Sequence, residues 1–528
     1  MLVKVNSAAV HGVDAITITI EVSYTGRALH NVMVGLADNA VKESFARVDS
    51  AILNSGYKMP RTQIVVNLSP ADVKKTGTGL ELGIALGILA ATEQIFDPAV
   101  LDDYFIVGEL GLDGIIQPIK GALPMAIQAR KEKVKGLIVP AANAIEAGMV
   151  NNLPVYAVNH LKEVVDFLNK TTKLEPISVN VRESFFSSQY DFDIDFSDVK
   201  GQENIKRSLE IAAAGGHNAI LIGPPGSGKT MLAKRLPTIL PPLTLNEALE
   251  TTKIYSVAGK LPDFNNSLLN KRPFRSPHHT ISNIALVGGG GIPQPGEISL
   301  AHNGVLFLDE LPEFSRHALE VMRQPMEDRK VLIARAMRSI EFPSNFMLLA
   351  SMNPCPCGYY NHPERNCTCP EGAVQKYMSR ISGPLMDRID LHVDVRPVPL
   401  ILMNDQEPGE TSQSIRERVI KAREIQALRF DPGSGCYNNA QMSTPQLKQF
   451  CSIDKNCETL LFNAMQRLQL SARAYDRILK VARTIADLNG CRDILLDHLT
   501  EAIQYRTLDK EQWAPGQAFY EKKKLRRA

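Results

Sequence analysis

Short runs of apolar residues alternate along the chain with longer segments in which apolar residues recur at helical spacing. Residues 15–24 alternate between apolar and polar side chains, the pattern of a strand with one buried face. Residues 219–222 and 305–308 are continuously apolar, as in the buried strands of a parallel sheet. In segments 415–429 and 460–488 the apolar residues recur at helical spacing, which predicts amphipathic helices. The pattern predicts an α/β protein with a helical C-terminal part.

A length of 528 residues exceeds that of one compact domain. Breaks in the pattern divide the chain into five parts. We expect an α/β domain at 1–172, a polar and aromatic linker at 173–196, a second α/β domain at 197–400, a helical lid at 410–510 and a basic tail at 511–528.

A complete phosphate-binding loop follows the apolar run 219–222. Its members are Gly223, Pro224, Pro225, Gly226, Ser227, Gly228, Lys229 and Thr230. The backbone N–H groups of such a loop wrap phosphates at the positive end of the following helix. We expect Lys229 to reach the β- and γ-phosphates of ATP, and the Thr230 hydroxyl to bind the accompanying Mg²⁺.

Two carboxylates end the second apolar run. Asp309 is expected to hold Mg²⁺ through water, and Glu310 to orient or deprotonate the attacking water. Together with the phosphate-binding loop, this pair predicts a hydrolase and not only a nucleotide-binding protein. The alternative is a surface strand that happens to end in two acids.

Four of the eight cysteines are concentrated in residues 355–369, in two Cys-x-Cys pairs: Cys355 and Cys357, then Cys367 and Cys369. In a reducing cytoplasm, four thiolates can close a tetrahedral Zn²⁺ site that staples a polar loop. The one-residue gaps are tighter than usual, so four unliganded thiols are the alternative, and His362 is a substitute ligand. Because the cluster follows Asn353, a bound metal would fix the backbone there.

The segments 329–333 and 338–342 predict the two strands of a β-hairpin, with Arg335 and Arg338 near its tip and Lys330 in its first strand. The formal net charge of the chain is only +2, so a nucleic-acid role must rest on local placement of charge. The segment resembles the pore hairpin of MCM helicases, and this resemblance implies that its cations grip DNA phosphates without reading sequence. A surface hairpin with solvated arginines is the alternative.

No part of the sequence suggests a membrane protein. The longest apolar stretch, residues 82–91, is far below the ~20 residues that a spanning helix needs, and the N-terminus has no signal-peptide pattern. With 44% hydrophobic residues the chain can form a substantial core. We expect a cytoplasmic protein.

Further motifs give the chain a family resemblance. The nucleotide motifs together resemble those of the AAA+ ATPases, in the branch that holds magnesium chelatase motor subunits and MCM helicases. Four further segments look like those of the ComM (YifB) family of Mg chelatase-like ATPases and narrow the resemblance to that family. They are residues 272–280, 288–291, 295–297 and 300–304. This resemblance covers nearly the whole chain. It implies an AAA+ P-loop core, an N-terminal Lon-protease-like α/β domain and a C-terminal helical lid.

The resemblance also implies roles for single residues. Asn353, after the apolar run 346–351, looks like the sensor 1 residue that faces the γ-phosphate. Arg388 resembles an arginine finger, which is supplied in trans across a subunit interface and therefore implies a ring, here a homo-hexamer. Arg473 sits where a lid carries its sensor 2 arginine, and Arg477 is the competing choice. A solvated charge on a helix face is the alternative for each arginine.

Residues 108–140, a glycine-bounded turn followed by a helix and a strand, resemble the proteolytic domain of Lon. The serine nucleophile of that family aligns with Gly79 and its lysine with about Leu123, so the catalytic pair is missing. Three candidate groups lie nearby without occupying the matching positions: Lys75, Thr78 and Lys120. We expect a scaffold that assembles rings or docks partners.

The function implied by the resemblance is that of a hexameric ATP-driven DNA motor. A branch-migration helicase would act on single-stranded or branched DNA in natural transformation or homologous recombination, beside recombination proteins. The alternative is a chelatase-like motor that remodels a protein partner. DNA-stimulated ATPase activity separates the two.

Overall fold

The computed structural model describes thirteen stretches of the chain. They are residues 2–25, 31–36, 38–75, 77–179, 185–186, 189–261, 268–335, 338–360, 362, 364–397, 409–431, 433 and 435–507. The predicted tail at 511–528 lies outside them. Within these stretches we find no helix with the length and apolar character needed to cross a bilayer.

The first domain is built on a seven-stranded mixed sheet. Its elements, including a short side hairpin of β6 and β7, are β1 Leu2–His11, β2 Asp14–Thr25, β3 Val32–Val34, α1 Asn39–Asn54, β4 Gln63–Ser69, α2 Glu81–Ala91, β5 Tyr104–Ile106, β6 Glu109–Leu110, β7 Ile116–Gln117, α3 Ala122–Lys131, β8 Gly136–Pro140, α4 Ala144–Gly148, β9 Val155–Val158 and α5 Leu161–Leu168. The strand order is β3-β4-β2-β1-β5-β8-β9, with β2 antiparallel to both β1 and β4.

Helix α2 forms the centre of this domain, and every one of its residues is buried. Two glycines allow it to lie close on the sheet: a Cβ at Gly83 would come within 2.7 Å of Ile20, and one at Gly87 within 2.6 Å of Val22. Because α2 is buried on all sides, its sequence has no polar face and does not show the pattern of an amphipathic helix.

The second domain contains a five-stranded parallel sheet. Its elements are α6 Glu203–Gly215, β10 Ala219–Ile222, α7 Lys229–Ile239, α8 Leu245–Ala258, β11 Phe274–Arg275, α9 Asn283–Val287, β12 Gly288–Gly289, β13 Gln294–Pro295, α10 Glu297–Leu300, β14 Val305–Leu308, α11 Arg316–Val321, α12 Arg323–Asp328, β15 Lys330–Arg335, β16 Arg338–Pro343, β17 Met347–Met352, α13 Ala373–Met378, α14 Gly383–Met386 and β18 Leu391–Asp394. The order β11-β14-β17-β10-β18 places the carboxyl ends of β10, β14 and β17 side by side.

Two hairpins project from this domain. One pairs β12 with β13, and the other pairs β15 with β16, with Lys330 opposite Pro343 and Arg335 opposite Arg338. Val331 and Phe342 are buried and fix the base of the second hairpin to the domain, whereas Leu332 on the other face is exposed.

The C-terminal part is helical. Its helices are α15 Ser412–Arg429, α16 Thr444–Phe450, α17 Lys455–Leu468, α18 Ala472–Leu488 and α19 Leu496–Gln504. Apolar side chains of α15 and α18, among them Ile415 and Ile478, belong to the same buried cluster as Leu221 of β10. The helical part thus completes the core on one face of the parallel sheet.

A cavity of about 910 Å³ lies between the first domain and the two hairpins. Its lining includes Val10, Gly79 and Lys120 of the first domain together with Ile292, Gln294 and Ile340 of the second. At the turn between β1 and β2, a Cβ on Gly12 would lie 3.3 Å from Cγ2 of Ile340. The turn between β1 and β2 therefore lies close to the hairpin of β15 and β16, and Val13 in this turn packs against the same buried cluster as Ile340.

Candidate nucleotide-hydrolysis site

The phosphate-binding loop joins β10 to α7, as the sequence predicts. Gly226 and Gly228 have φ of +78° and +86°, which side chains other than glycine rarely adopt, and the turn depends on them. Among the described residues no side chain caps the N-terminus of α7. Its first backbone N–H groups therefore remain available to phosphate oxygens.

Lys229 holds the loop in this conformation. Its Nζ donates hydrogen bonds to the carbonyl oxygens of Gly223 at 2.7 Å and Pro224 at 2.9 Å, and to Oδ1 of Asn353 at 3.2 Å. Burial lowers the pKa of Lys229, while the nearby carboxylates of Asp309 and Glu310 oppose the shift. The contact with Asn353, which directly follows β17, joins two of the predicted site residues.

Hard oxygen ligands converge beside the loop. The Thr230 hydroxyl donates to Oδ2 of Asp309 at 2.8 Å. The other carboxylate oxygen of Asp309 accepts hydrogen bonds from the Ser351 hydroxyl and, at 3.1 Å, from the Glu310 N–H. A hydroxyl and an oriented carboxylate at this spacing suit Mg²⁺, so the residues present fit the expected ion. Ser351 was not expected from the sequence, where it is one small polar residue in an apolar strand.

Glu310 has a left-handed backbone, with φ of +53°, at the end of β14. A residue other than glycine adopts this conformation at some energetic expense, and here it sets the direction of a side chain that is 54% exposed. Oε2 of Glu310 lies 3.9 Å from Nδ1 of His279. His279 is a second residue that the sequence did not assign to this site.

Arg388 lies on the segment between α14 and β18, and it is only 7% exposed. Its Nη2 pairs with Oε1 of Glu327 at 2.6 Å, and its Nη1 donates to the Pro384 carbonyl at 2.7 Å. The structure of one subunit therefore places this arginine in an internal ion pair, and its role in trans stays a prediction.

The two lid arginines occupy different environments. Arg473, in the first turn of α18, is exposed. Arg477, one turn later, pairs with the buried carboxylate of Asp390 and donates to the Arg388 carbonyl at 3.1 Å. Arg477 thus ties the C-terminal helices to the nucleotide domain, and the sensor role of Arg473, with Arg477 as the competing choice, stays a prediction.

Asp390 is the centre of the buried network under this contact. Besides Arg477, it accepts from the Asn218 N–H at 3.0 Å, and Nδ1 of His217 lies 3.4 Å from its Oδ2. Burial raises the pKa of Asp390, but the Arg477 charge and these neighbours outweigh it and hold the pKa well below its usual range. Burial lowers the pKa of His217, so the imidazole stays neutral at neutral pH.

The four cysteines of residues 355–369 come together as one cluster. All four Sγ atoms lie within 4.8 Å of one another, and three of the pairs are separated by 3.3, 3.5 and 3.8 Å. The edge of a ZnS₄ tetrahedron is about 3.8 Å for Zn–S bonds of about 2.3 Å. His362 lies outside the cluster, and its Nδ1 accepts from the N–H groups of Glu364 and Arg365. The donor set present is thus four sulfurs.

The predicted DNA-contacting residues are at two ends of the hairpin. Lys330 is at the base of β15 and pairs with Glu341 across the hairpin at 3.1 Å. Arg335 and Arg338 form the last backbone pair before the connection. Their side chains lie outside the described part of the chain.

The Lon-like region has no serine–lysine pair among the described residues. Thr78 donates a hydrogen bond to Glu109, Nζ of Lys75 donates to the Pro70 carbonyl, and Lys120 is exposed at the cavity. The Thr78 hydroxyl is thus bonded to a carboxylate, while Lys75 is directed elsewhere and Lys120 is solvated. These groups do not form the base–nucleophile arrangement that proteolysis requires.

Comparison with known proteins adds to this geometry. Three family models match: magnesium chelatase, subunit ChlI, at residues 195–401; subunit ChlI of Mg-chelatase at 20–143; and magnesium chelatase, subunit ChlI C-terminal, at 409–506. The chain is also similar to Lon protease 2 of Bacillus subtilis, with 33% identity over 181 residues, 32% of this chain and 29% of that protein.

Two relatives match almost end to end. Competence protein ComM of Haemophilus influenzae is 44% identical over 508 residues, 96% of this chain and 98% of that protein. Protein YifB of Escherichia coli is 44% identical over 510 residues, 96% of this chain and 97% of that protein. With the α/β nucleotide domain and the C-terminal helices described above, the chain belongs to the ComM/YifB family of Mg chelatase-like AAA+ proteins.

Proposed function

We propose that this protein is an ATP-driven DNA motor that works as a homo-hexamer and drives branch migration during natural transformation or homologous recombination. The observation that supports it most is that Lys229, Thr230, Asp309, Glu310 and Asn353 converge at the edge of one sheet, in the domain that also carries the hairpin of β15 and β16. The name of the relative from Haemophilus influenzae, a competence protein, adds support for DNA as the substrate.

The hydrolytic step follows from the positions of these side chains. On ATP binding, Lys229 exchanges its carbonyl partners for the β- and γ-phosphate oxygens. The backbone N–H groups of the loop donate hydrogen bonds to the other negatively charged phosphate oxygens. Mg²⁺ bound at Thr230 and Asp309 would neutralise charge on the β- and γ-oxygens. Glu310 orients the water that attacks the γ-phosphorus, and Asn353 lies beside the same phosphate, so the products are ADP and phosphate.

A further positive charge at the γ-phosphate would come from a neighbouring subunit. Arg388 would leave Glu327 and approach the γ-phosphate of the next subunit in the ring, since a charge supplied in trans stabilises the phosphoryl transition state. Arg473 would close over the nucleotide of its own subunit as the lid moves. The first step would couple hydrolysis to movement between subunits, and the second would couple it to movement of the lid.

DNA would be gripped by the far end of the hairpin. Because Lys330 is already neutralised by Glu341 at the base, we expect Arg335 and Arg338 at the other end to contribute more of the phosphate binding. Phosphate contacts carry no sequence information, which suits a motor that must move along any strand.

Steady-state ATPase assays test the proposal. Rates are measured without DNA, with single-stranded DNA and with a branched junction at one salt concentration, using Glu310→Gln as the blank. We expect DNA to stimulate the wild type several-fold, and the double variant Arg335→Ala, Arg338→Ala to lose the stimulation while keeping its basal rate. Lys330→Ala is the matched control and should retain most of the stimulation by DNA.

A rate indifferent to DNA would refute the DNA motor and favour the chelatase-like alternative. The three matches to magnesium chelatase subunit models support that second function, in which the ATPase remodels a protein partner. Pull-down of an ATP-dependent protein complex with the Glu310→Gln trap would then be the decisive measurement.

A further inference from the structure

The cysteine cluster touches the nucleotide site at two points. Cys355 comes two residues after Asn353, whose Oδ1 accepts a hydrogen bond from Lys229. Gly358, next to Cys357, packs against the phosphate-binding loop: a Cβ at this position would lie 2.5 Å from Cδ of Pro225. The cluster therefore contacts both the sensor residue and the loop that would hold the phosphates.

Gly358 also has the backbone that this contact requires. Its φ is +83°, and its N–H donates to the Cys355 carbonyl at 3.0 Å, which closes a tight turn around the first Cys-x-Cys pair. Glycine permits both the left-handed conformation and the close approach to Pro225. The backbone of this turn thus packs directly against the phosphate-binding loop.

Besides the cysteines, Tyr360 is the side chain of residues 356–370 that packs against the neighbouring buried cluster, among the residues that the structure describes. Cys355 is fully buried, but among the described residues from 356 to 370 only Gly358 is buried. A loop with so few apolar contacts cannot offset the entropy of its own ordering by hydrophobic burial. Four sulfurs within 4.8 Å of one another supply the alternative, a metal cross-link.

We propose that Cys355, Cys357, Cys367 and Cys369 bind one Zn²⁺ ion, and that the metal-bound segment braces the phosphate-binding loop, so that zinc occupancy sets the affinity for ATP. Four thiolates in tetrahedral arrangement select zinc over the harder cations of the nucleotide site. Without the metal, residues 356–370 lose their cross-link, and Pro225 and Asn353 lose a fixed neighbour. This inference rests on the ATP-binding part of the proposed function and not on DNA.

The first experiment measures metal and nucleotide on the full chain. Elemental analysis should find one zinc per chain in the wild type and none in the double variant Cys367→Ser, Cys369→Ser. Binding of a fluorescent, non-hydrolysable ATP analogue is then compared before and after removal of zinc by a chelator. We expect the affinity for the analogue to fall about tenfold on removal, the low end of the losses caused by removing groups that support a metal site, and to recover when Zn²⁺ alone is returned.

A second pair of variants separates bracing from folding. Gly358→Ala introduces the clash with Pro225, whereas Gly372→Ala changes a glycine with nearly the same φ, +78°, that has nothing within 4 Å. Alanine is strained by the positive φ at both positions. Both variants should keep their zinc, and only Gly358→Ala should weaken nucleotide binding.

Three outcomes would overturn the inference: a wild type without zinc, an unchanged nucleotide affinity after zinc removal, or equal affinities for Gly358→Ala and Gly372→Ala. A wild type that binds no ATP analogue at all would instead refute the ATP part of the proposed function. A wild type that binds zinc and ATP but ignores DNA would leave this inference standing and remove only the DNA motor.

Discussion

Replacing Asp390 by asparagine tests the buried network that joins the lid to the ATPase core. The Asp390 side chain is 4% exposed and faces Arg477, the Asn218 N–H and His217. Removing one partner of a buried ion pair typically costs about 3–5 kcal/mol. The amide still fits and still accepts from Asn218, and Arg477 is partly solvated, so we expect a loss of about 2–4 kcal/mol in the free energy of unfolding.

Urea denaturation followed by circular dichroism measures this loss at pH 7. Asp394→Asn is the matched control, because Asp394 ends the strand that directly follows Asp390 but pairs on the surface with Arg396 at 3.1 Å. Such an exposed pair contributes little, so the control should stay within about 0.5 kcal/mol of the wild type. Equal midpoints for the two variants would refute the network as a source of stability.

The pH dependence of the same difference gives an independent check. The pKa of Asp390 in the folded protein is well below its usual range, so its contribution is fully present above the unfolded pKa of about 3.9 and is lost as pH falls towards the folded value. The gap between wild type and Asp390→Asn should therefore be constant from about pH 5 to 8 and shrink below about pH 4. A gap that grows on acidification would contradict the sign of the shift.

Three further changes address the nucleotide site. Glu310→Gln should lower phosphate release by about 10²–10⁴-fold with unchanged affinity for a fluorescent nucleotide, whereas Glu313→Gln, three residues away, should leave both values intact. Ser351→Ala removes a hydrogen bond that orients the carboxylate of the Mg²⁺ site, and we expect the Mg²⁺ concentration for half-maximal ATPase activity to rise about tenfold. Arg388→Ala should lower the ATPase rate by about 10³-fold, and mixing it with inactive Lys229→Ala subunits should restore part of the activity because each supplies what the other lacks. No recovery on mixing would indicate that Arg388 acts only within its own subunit.

Local pattern was enough to predict the elements that carry the nucleotide chemistry. The apolar runs 219–222 and 305–308 form β10 and β14 at the predicted positions, because continuous burial in a parallel sheet leaves a clear signature. The hairpin predicted at 329–333 and 338–342 forms within two residues of those bounds. The fold class, an AAA+ α/β protein with a helical C-terminal region, is confirmed.

Contacts between distant segments could not be predicted in the same way. The different environments of Arg473 and Arg477 depend on Asp390, far away in sequence, and both arginines have the same local pattern. Ser351 is recognisable only once Asp309 is seen beside it. Likewise, the spacing of the cysteines indicates a metal site but contains no sign of Gly358 packing on Pro225, because that contact is set by tertiary structure.

The close approach of the turn at Gly12 to Ile340 would have a mechanical consequence for the proposed motor. A hairpin that swings to move a strand must either push the turn between β1 and β2 ahead of it or change the volume of the cavity beside it. In the proposed motor the first domain would resist the movement of the hairpin, and its stiffness would limit how far the hairpin moves. The first domain would in this way govern how far the proposed motor travels for each nucleotide consumed.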